Sequence, residues 1–432
     1  MKMAEENNII VGLDIGTTKV CAIVGREDEY GNIDILGIGR ADSEGVNRGV
    51  ITNIDRTVEA IKRAVAEAEN QANVDIRSVY VGIAGDHIRS MQFKNMITLN
   101  NPDMIIREED VNRLIENTFQ IPIAPGTEIV HVLPQDYTVD NERGITKPVG
   151  FAGVRLEGNF HVVTAQTTAA KNIFRCVEKA GLETIELVLE PIASSFAVLS
   201  EEEKEAGVCM VDIGGGTTDI AIFKDNIIMH TAVIPFGGNV ITDDITQGCF
   251  LTKKQAEKLK REHGAAIAEL VNKDDYISIS QLQGRPPKTI MRKMLAQIIQ
   301  ARCEEIIEFV ATEIKNAGFD KRKLIGGIVV TGGGSQLQHL KQLFEYVTGI
   351  DTRIGVVSEY ISKGLIHEVN HPSNATGAGL VIYGFKNNIT VNLNDIENQK
   401  TAKKVSKINN SVGFMSRIKS WFEKTLSGED IE

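Results

Sequence analysis

The sequence predicts an α/β protein built from two related lobes, each interrupted by an insertion. Three observations predict it. The stretch "VGLDIGTTKVCAIVG" at 11–25 is echoed by "VCMVDIGGGTTDIAIFKD" at 208–225, with the two aspartates 198 positions apart. In each, a β-rich apolar run ends in Asp-Ile-Gly, turns through glycine and threonine, and enters a second β-rich run, as a two-stranded hairpin is written. A third glycine cluster, "GGIVVTGGGSQLQHLKQLF" at 326–344, reads as strand, glycine turn and amphipathic helix carrying Leu337, Leu340, Leu343 and Phe344. Helical periodicity over 54–72 and 169–182, each followed by a short β-rich run, gives the alternation that lays helices over a sheet.

The remaining elements follow in chain order. Residues 86–165 are strand-rich and contain proline, as in "EIVHVLPQDYTVD", which predicts an inserted subdomain in the first lobe. Residues 241–320 are largely helical by period and predict an insertion in the second. Residues 387–410 are rich in Asn and Lys with little to bury, which predicts a flexible linker. Behind it, "SVGFMSRIKSWFEKTL" at 411–426 places Phe414, Met415, Ile418, Trp421, Phe422 and Leu426 within an arc of roughly 140° on a helical wheel. Arg417 and Lys419 fall at the edges of that stripe. Such a stripe either docks on the protein's own body or serves a surface elsewhere.

Composition narrows the class. At 432 residues the chain exceeds one ordinary core and predicts two to four domains. Its 42% hydrophobic and 24% charged content is that of a soluble globular protein. A net charge of −11 argues against general nucleic-acid binding. From Lys386 to Leu426, eight basic residues against three acidic give +5, leaving −16 for the rest. Cysteines 21, 176, 209, 249 and 303 are scattered and odd in number, so neither a disulfide framework nor a zinc site is expected, and reduced cytosol is the simplest setting. No signal peptide is written at the start, and no run approaches the ~18 apolar residues of a membrane span. Membrane contact, if made, is expected to be peripheral.

The glycine and threonine turns carry the chemistry. A tight turn of this composition converges backbone N–H groups and hydroxyls on a phosphate, because glycine has no Cβ and accepts positive φ. Gly16, Thr17 and Thr18 supply those groups in the first turn, and Gly214, Gly215, Gly216, Thr217 and Thr218 in the second. Asp14 and Asp212 open the turns and would hold Mg²⁺ through waters, since magnesium gives up its hydration reluctantly. One such turn is often only a hairpin. Two, with "TGGGS", make a polyphosphate clamp the expectation, and no P-loop or Rossmann fingerprint competes with it.

The ordered set "GLDIGTTKV", "LEPIASSFAVL", "VDIGGGTTDI", "VVTGGGSQL" and "NATGAGLVIYG" resembles the phosphate 1, connect 1, phosphate 2, adenosine and connect 2 motifs of the actin, heat-shock chaperone and sugar-kinase ATPase superfamily. Within it, "HVLPQDYTVDNERGITKPVGFAGVRLEGNFHVVTA", "IPFGGNVITDDI" and the C-terminal stripe are similar to the FtsA family of bacterial cell-division proteins. The resemblance implies an actin-like two-lobed ATPase fold with a family-specific insertion and a C-terminal amphipathic helix. It divides the chain into a first lobe (1–85, 166–205, 365–386), an inserted subdomain (86–165), a second lobe (206–240, 321–364), a helical subdomain (241–320), a linker (387–410) and a membrane-targeting helix (411–427).

The resemblance also implies roles. ATP and Mg²⁺ are the cofactors. Asp14 and Asp212 position the magnesium, Thr17, Thr18 and Lys19 meet the β- and γ-phosphates, and Gly214 to Thr217 cradle from the other side. Glu190 stands where chaperone-like relatives place the group that orients the attacking water. Gly237 and Gly238, with Gly333, Gly334 and Ser335, approach the phosphate and adenosine side. Glu257 and Lys260 match the ribose and adenine grip, although Ser335-Gln336-Leu337 lacks the arginine that chaperones stack on adenine. Hydrolysis is permitted by these residues, and its rate is not written in them.

Partners come from the same source. FtsA-like proteins polymerise, tether FtsZ filaments to the inner face of the cytoplasmic membrane and recruit later division proteins. The acidic FtsZ C-terminal tail needs a basic groove, for which Arg285, Lys288, Arg292, Lys293 and Arg302 are the expected residues. The basic stripe matches anionic lipid, with Arg417 and Lys419 snorkelling at its flanks. A small-molecule kinase or a chaperone-type ATPase is the alternative. Neither gives a basic amphipathic tail a purpose, and the chaperone needs a large substrate domain for which no length remains after Lys386.

Overall fold

Each echoed segment is a β-hairpin in the computed structural model, which describes residues 9–28, 30–99, 103–280, 286–357 and 361–387. Ile9–Ile15 pairs antiparallel with Lys19–Glu27, setting Asp14 opposite Cys21. Val208–Ile213 pairs with Thr218–Lys224, setting Asp212 opposite Asp219. These strands are nearly continuous apolar runs because both of their faces are covered.

From each hairpin the chain builds the same sheet. In the first, Ile33–Asp42 extends the hairpin antiparallel on one side, while Ser78–Ile83 and Glu183–Leu189 add in parallel on the other. In the second, Ile227–Ile234 takes the antiparallel side, and Ile328–Thr331 and Thr352–Ile354 the parallel one. Ile361–Gly364 returns to the first sheet as an extra edge strand. Parallel additions need crossovers, and the helices that make them cover the faces. Ile54–Ala72 is one: Asn53 caps it by accepting the Arg56 N–H, and Val58, Ile61, Ala64 and Val65 are buried toward the sheet.

Two helices form the central packing. Glu190–Val198 and Ala375–Lys386 lie against each other, the first packed between the two sheets and the second over the first sheet, and every residue from Ala375 to Phe385 is buried. They approach so closely that a Cβ on Gly379 would stand 1.9 Å from Ala193 O, which excludes any side chain there.

The first insertion forms its own sheet, ordered Arg89–Thr98, Arg155–Gln166, Thr127–Val139, Glu142–Ile145, with helix Glu108–Phe119 and a core around Leu114, Tyr137, Leu156 and Phe160. Pro134 fits inside a strand because the register slips beside it, between Asn159/Asp136 and Phe160/Pro134. Gln135 is the bulged residue, and its amide donates to Ile228 O and Met229 O at 2.8 and 3.0 Å. Ser90 Oγ donates to Thr231 O at 2.8 Å. The insertion therefore covers Ile227–Ile234, the edge strand of the other lobe.

The second insertion is helical as predicted at Gly238–Cys249, Lys253–His263 and Arg292–Asn316, but Tyr276–Ile279 and Lys288–Met291 form a short antiparallel pair. After the third glycine cluster the helix begins at Leu340 rather than Leu337. A one-turn 3₁₀ segment, Gly333–Gln336, and a left-handed His339 (φ 65°) intervene. Beyond Asn387, the linker and the amphipathic stripe lie outside the described residues.

Candidate functional site

The two hairpin turns meet. In the first, Gly16 N–H donates to Lys19 O at 3.0 Å; in the second, Gly214 N–H donates to Thr217 O at 2.9 Å. One hydrogen bond closes both turns, so the repeat in sequence is a repeat in geometry. A Cβ on Gly215 would lie 2.4 Å from Thr18 Cγ2, and one on Gly216 2.6 Å from Thr17 Oγ1. Any side chain at either position would hold the lobes apart.

Between the turns, Asp14, Glu190, Asp212 and Asp219 share one cleft. Its volume is about 130 Å³, below the ~300 Å³ at which ordinary ligand pockets begin. The space directly between the turns is therefore of phosphate size. Glu190 leads its helix with Pro191 behind it, an arrangement that places an acid at the favourable end of the helix dipole.

The electrostatics of the cleft call for a cation. Burial, with Asp212 adding and Lys19 opposing, raises Asp14 to about 6. Burial and then Asp212 push Asp219 up to about 8, against its hydrogen bond from Thr217. Burial lifts Glu190 well above the carboxylate range, helped by Asp14, Asp219 and Asp212 in turn. Asp212 is also raised by burial, despite its bond from Ser194, the nearby Lys19 and its bond from Thr376. Asp219 Oδ1 is buried and has no hydrogen-bond partner among the described residues. Among the described residues no three such side chains stand together as a direct metal cage, so a divalent cation in this cleft would keep its waters and be held through them.

Lys19 is the basic residue on the cleft wall, and it is engaged. Its Nζ donates to Ser373 O and, at 3.1 Å, to Asn374 Oδ1. Of the predicted residues, Gly16, Thr17, Thr18, Lys19, Gly214, Gly215, Gly216, Thr217 and Gly333 join the carboxylates on the wall. Thr218 faces away, donating to Phe236 O. Gly237, Gly238, Glu257 and Lys260 stand beside the cleft. Gly238 N–H donates to Gly214 O at 2.9 Å, and Lys260 Nζ holds Gly238 O at 2.8 Å and Glu257 at 2.7 Å. Ser335 is buried with its hydroxyl on Gly332 O, and Gly334 packs on Ile213.

Sequence reading missed Asp219, Thr376 and Ser373. Asp219 had a signal, because "TTD" closes the second turn where the first has "KVC" and puts an acid inside a buried strand.

The four described residues predicted for the basic groove are each bonded locally. Lys288 Nζ donates to Cys249 O at 2.6 Å and lies 5.1 Å over the Phe250 ring. Arg292 bridges His263 O, Asp275 and Gln338, and Lys293 pairs with Glu269 at 3.0 Å. Arg302 clasps Asp244 with Nε at 2.6 Å and Nη2 at 3.1 Å, and also bonds Glu305. Arg285 and the stripe residues Phe414 to Leu426 lie outside the described residues.

Solved structures share the architecture. The PilM–PilN type IV pilus biogenesis complex matches with a TM-score of 0.62 at 16% identity, covering 87% of this chain and 98% of that one. MreB5 of Spiroplasma citri bound to ADP matches at 0.53 and 15%, covering 90% and 99%. Duplicated sheets, facing hairpins and these likenesses define an actin-like fold. Family models sharpen it: residues 209–379 match "Cell division protein FtsA", and residues 85–164 match the SHS2 domain inserted in that protein. The chain is 40% identical to cell division protein FtsA of Pseudomonas aeruginosa over 386 residues, covering 89% of this chain and 91% of that protein. It is 37% identical to that of Neisseria meningitidis serogroup B over 424 residues, covering 98% and 100%. This chain belongs to the FtsA family of cell division proteins. Among the described residues, no helix is long and apolar enough to cross a membrane.

Proposed function

We propose that the chain binds ATP with Mg²⁺ in the cleft, polymerises as an actin-like filament, and tethers FtsZ filaments to the inner face of the cytoplasmic membrane. In doing so it helps assemble the division ring and recruit later division proteins. The observation that carries the reading is the convergence of four carboxylates between two matched glycine turns. Bound Mg²⁺ would neutralise those carboxylates and a polyphosphate together. Asp14, Asp212 and Asp219 are the residues to hold it, and the turn amides with Thr17, Thr18 and Thr217 are the groups to meet the phosphates. Lys19 reaches a phosphate by leaving Ser373 O. Glu190, with its raised affinity for a proton, is suited to orient or deprotonate a water. A fold neighbour, MreB5, is solved with ADP, which supports nucleotide as the ligand.

The remaining roles rest on the family. The division into two lobes, two insertions, linker and membrane-targeting helix keeps the boundaries given above, except that the second lobe ends before Ile361, whose strand belongs to the first sheet. Arg302, with Arg285, Lys288, Arg292 and Lys293, receives the acidic FtsZ tail by exchanging its local acidic partners for the peptide's. The stripe around Trp421 binds anionic lipid in the plane of the membrane, and filament formation supplies the avidity that one short helix lacks. Co-sedimentation of the full chain with anionic vesicles and with FtsZ, with and without ATP and Mg²⁺, tests the reading. Recovery with both, lost from vesicles in Trp421→Glu, is expected. Soluble behaviour in every mixture together with phosphorylation of a small metabolite would overturn it in favour of a kinase.

A further inference from the structure

Asp212 belongs to the second lobe, yet its carboxylate is held by the first. Ser194 Oγ, on the helix Glu190–Val198, donates to Asp212 Oδ2 at 2.8 Å. Thr376 Oγ1, on the helix Ala375–Lys386, lies 3.1 Å from Ser194 Oγ and 3.4 Å from the same carboxylate oxygen. All three side chains are buried, Ser194 completely. The other oxygen, Oδ1, rests over Gly332, where a Cβ would be only 2.2 Å away and φ is +82°. Gly332 lines the cleft, so the carboxylate is clamped at one oxygen and presents the other to the ligand space.

The geometry points to Ser194 and Thr376 as positioning residues for metal binding: a hydroxyl pair from the first lobe that orients Asp212 of the second, so that this carboxylate is set for Mg²⁺ only when the lobes are closed. The inference rests on the cleft being the Mg²⁺–nucleotide site. Its physical basis is that a carboxylate free to rotate must be ordered by the cation it binds, whereas one fixed by two donors is ordered in advance. Ser194 stands behind the cleft wall, and Thr376 forms part of it. Each acts through Asp212, and Thr376 is lost to Asp212 if the lobes part, because its helix packs on the first sheet, whereas the helix of Ser194 packs between both sheets.

Calorimetric titration of the full chain with ATP, in excess Mg²⁺ and separately in EDTA, tests this. Ser194→Ala and Thr376→Val are each expected to reduce the Mg²⁺-dependent gain in ATP affinity by roughly tenfold, the usual cost of losing a partner of a metal ligand. Affinity in EDTA should stay within about twofold, and Thr376→Ser, which restores the hydroxyl, should recover the gain. Equal losses in both conditions, or an undiminished Mg²⁺ gain, would overturn the assignment and leave the hydroxyls as packing. If Ser194→Ala does not fold, the near-isosteric Thr376→Val and its serine counterpart decide alone. A wild-type chain that gains no ATP affinity from Mg²⁺ would remove the cleft assignment itself and this inference with it, a failure visible before any variant is made.

Discussion

Asp212 and Asp219 are register partners on adjacent antiparallel strands, two carboxylates set directly opposite each other in a buried hairpin. Like charges so placed are destabilising unless one is protonated or a cation lies between them. In the other hairpin Cys21 faces Asp14, so the pairing of acids is peculiar to the second lobe.

Asp219→Asn separates what is good for folding from what is good for binding. Without ligand and above about pH 8, where Asp219 is ionised, the variant is expected to melt a few degrees higher than the parent chain, because a buried like-charge pair is gone. In Mg²⁺, its ATP affinity should fall by roughly tenfold or more, the scale on which losing a charged hydrogen-bonding group registers. Differential scanning fluorimetry and calorimetric titration read the two effects, and a fall in both quantities would make Asp219 merely structural.

The pH dependence of the ligand-free protein has a defined sign. Asp14 and Asp219, with folded values of about 6 and about 8, hold protons that the unfolded chain has already released above the ordinary carboxylate range. The folded state binds more protons across that window, so stability falls as pH rises. Between about pH 7.5 and 8.5 His131 and His161, which burial depresses to about 4 in the folded state, are largely neutral in the unfolded chain as well and contribute little slope. Melting temperature should therefore decline over that range, and saturating Mg²⁺–ATP should flatten the decline. A rising curve would contradict the buried-carboxylate account.

Gly215→Val tests whether the two turns must touch. Its side chain would occupy the space of Thr18 Cγ2, and the backbone at 215 is not in the left-handed region, so the cost falls on lobe closure rather than on the hairpin itself. Circular dichroism should be unchanged, while ATP affinity drops by roughly a hundredfold, as about 2.7 kcal/mol of lost contact would give. Retained affinity would mean that nucleotide binds with the lobes apart.

Arg302 yields a pair of opposite expectations. Asp244 holds its guanidinium with two hydrogen bonds and Glu305 with another, so Asp244→Asn loosens Arg302 for an acidic peptide, whereas Arg302→Glu adds a third acid to the same spot. FtsZ co-sedimentation should rise with the first and fall with the second, and ATP affinity should move in neither. The same direction of change for both variants would take Arg302 out of that contact.

The sequence displayed the duplication because both hairpins are local: strand, turn and strand lie within twenty residues, and their closing bonds join near neighbours. Helix Ile54–Ala72 was legible for the same reason, its buried face recurring at helical spacing between two capping asparagines. What stayed hidden depends on distance along the chain. Ser194, Asp212 and Thr376 meet only when both lobes have formed, and nothing local distinguishes these hydroxyls from ordinary core-facing ones. Gln135 looked like any polar residue in a strand, and only the slipped register beside Pro134 turns it toward the second lobe. Lys19 sits where the motif places it, but its contact with Ser373 and Asn374 is a tertiary one.

The helix Ala375–Lys386 joins two places that the chain keeps far apart. At its first turn Thr376 bears on Asp212. At its last, Lys386 Nζ lies 3.4 Å from Glu201 and 5.4 Å over the Phe196 ring, beside the segment that crosses from one lobe to the other. The rod between them is about 18 Å long and buried on every side, so it can slide or tilt but not bend without opening the core. A substitution that loosens the packing along that rod would therefore be felt at both of its ends, at Thr376 in the cleft and at Lys386 beside the crossover.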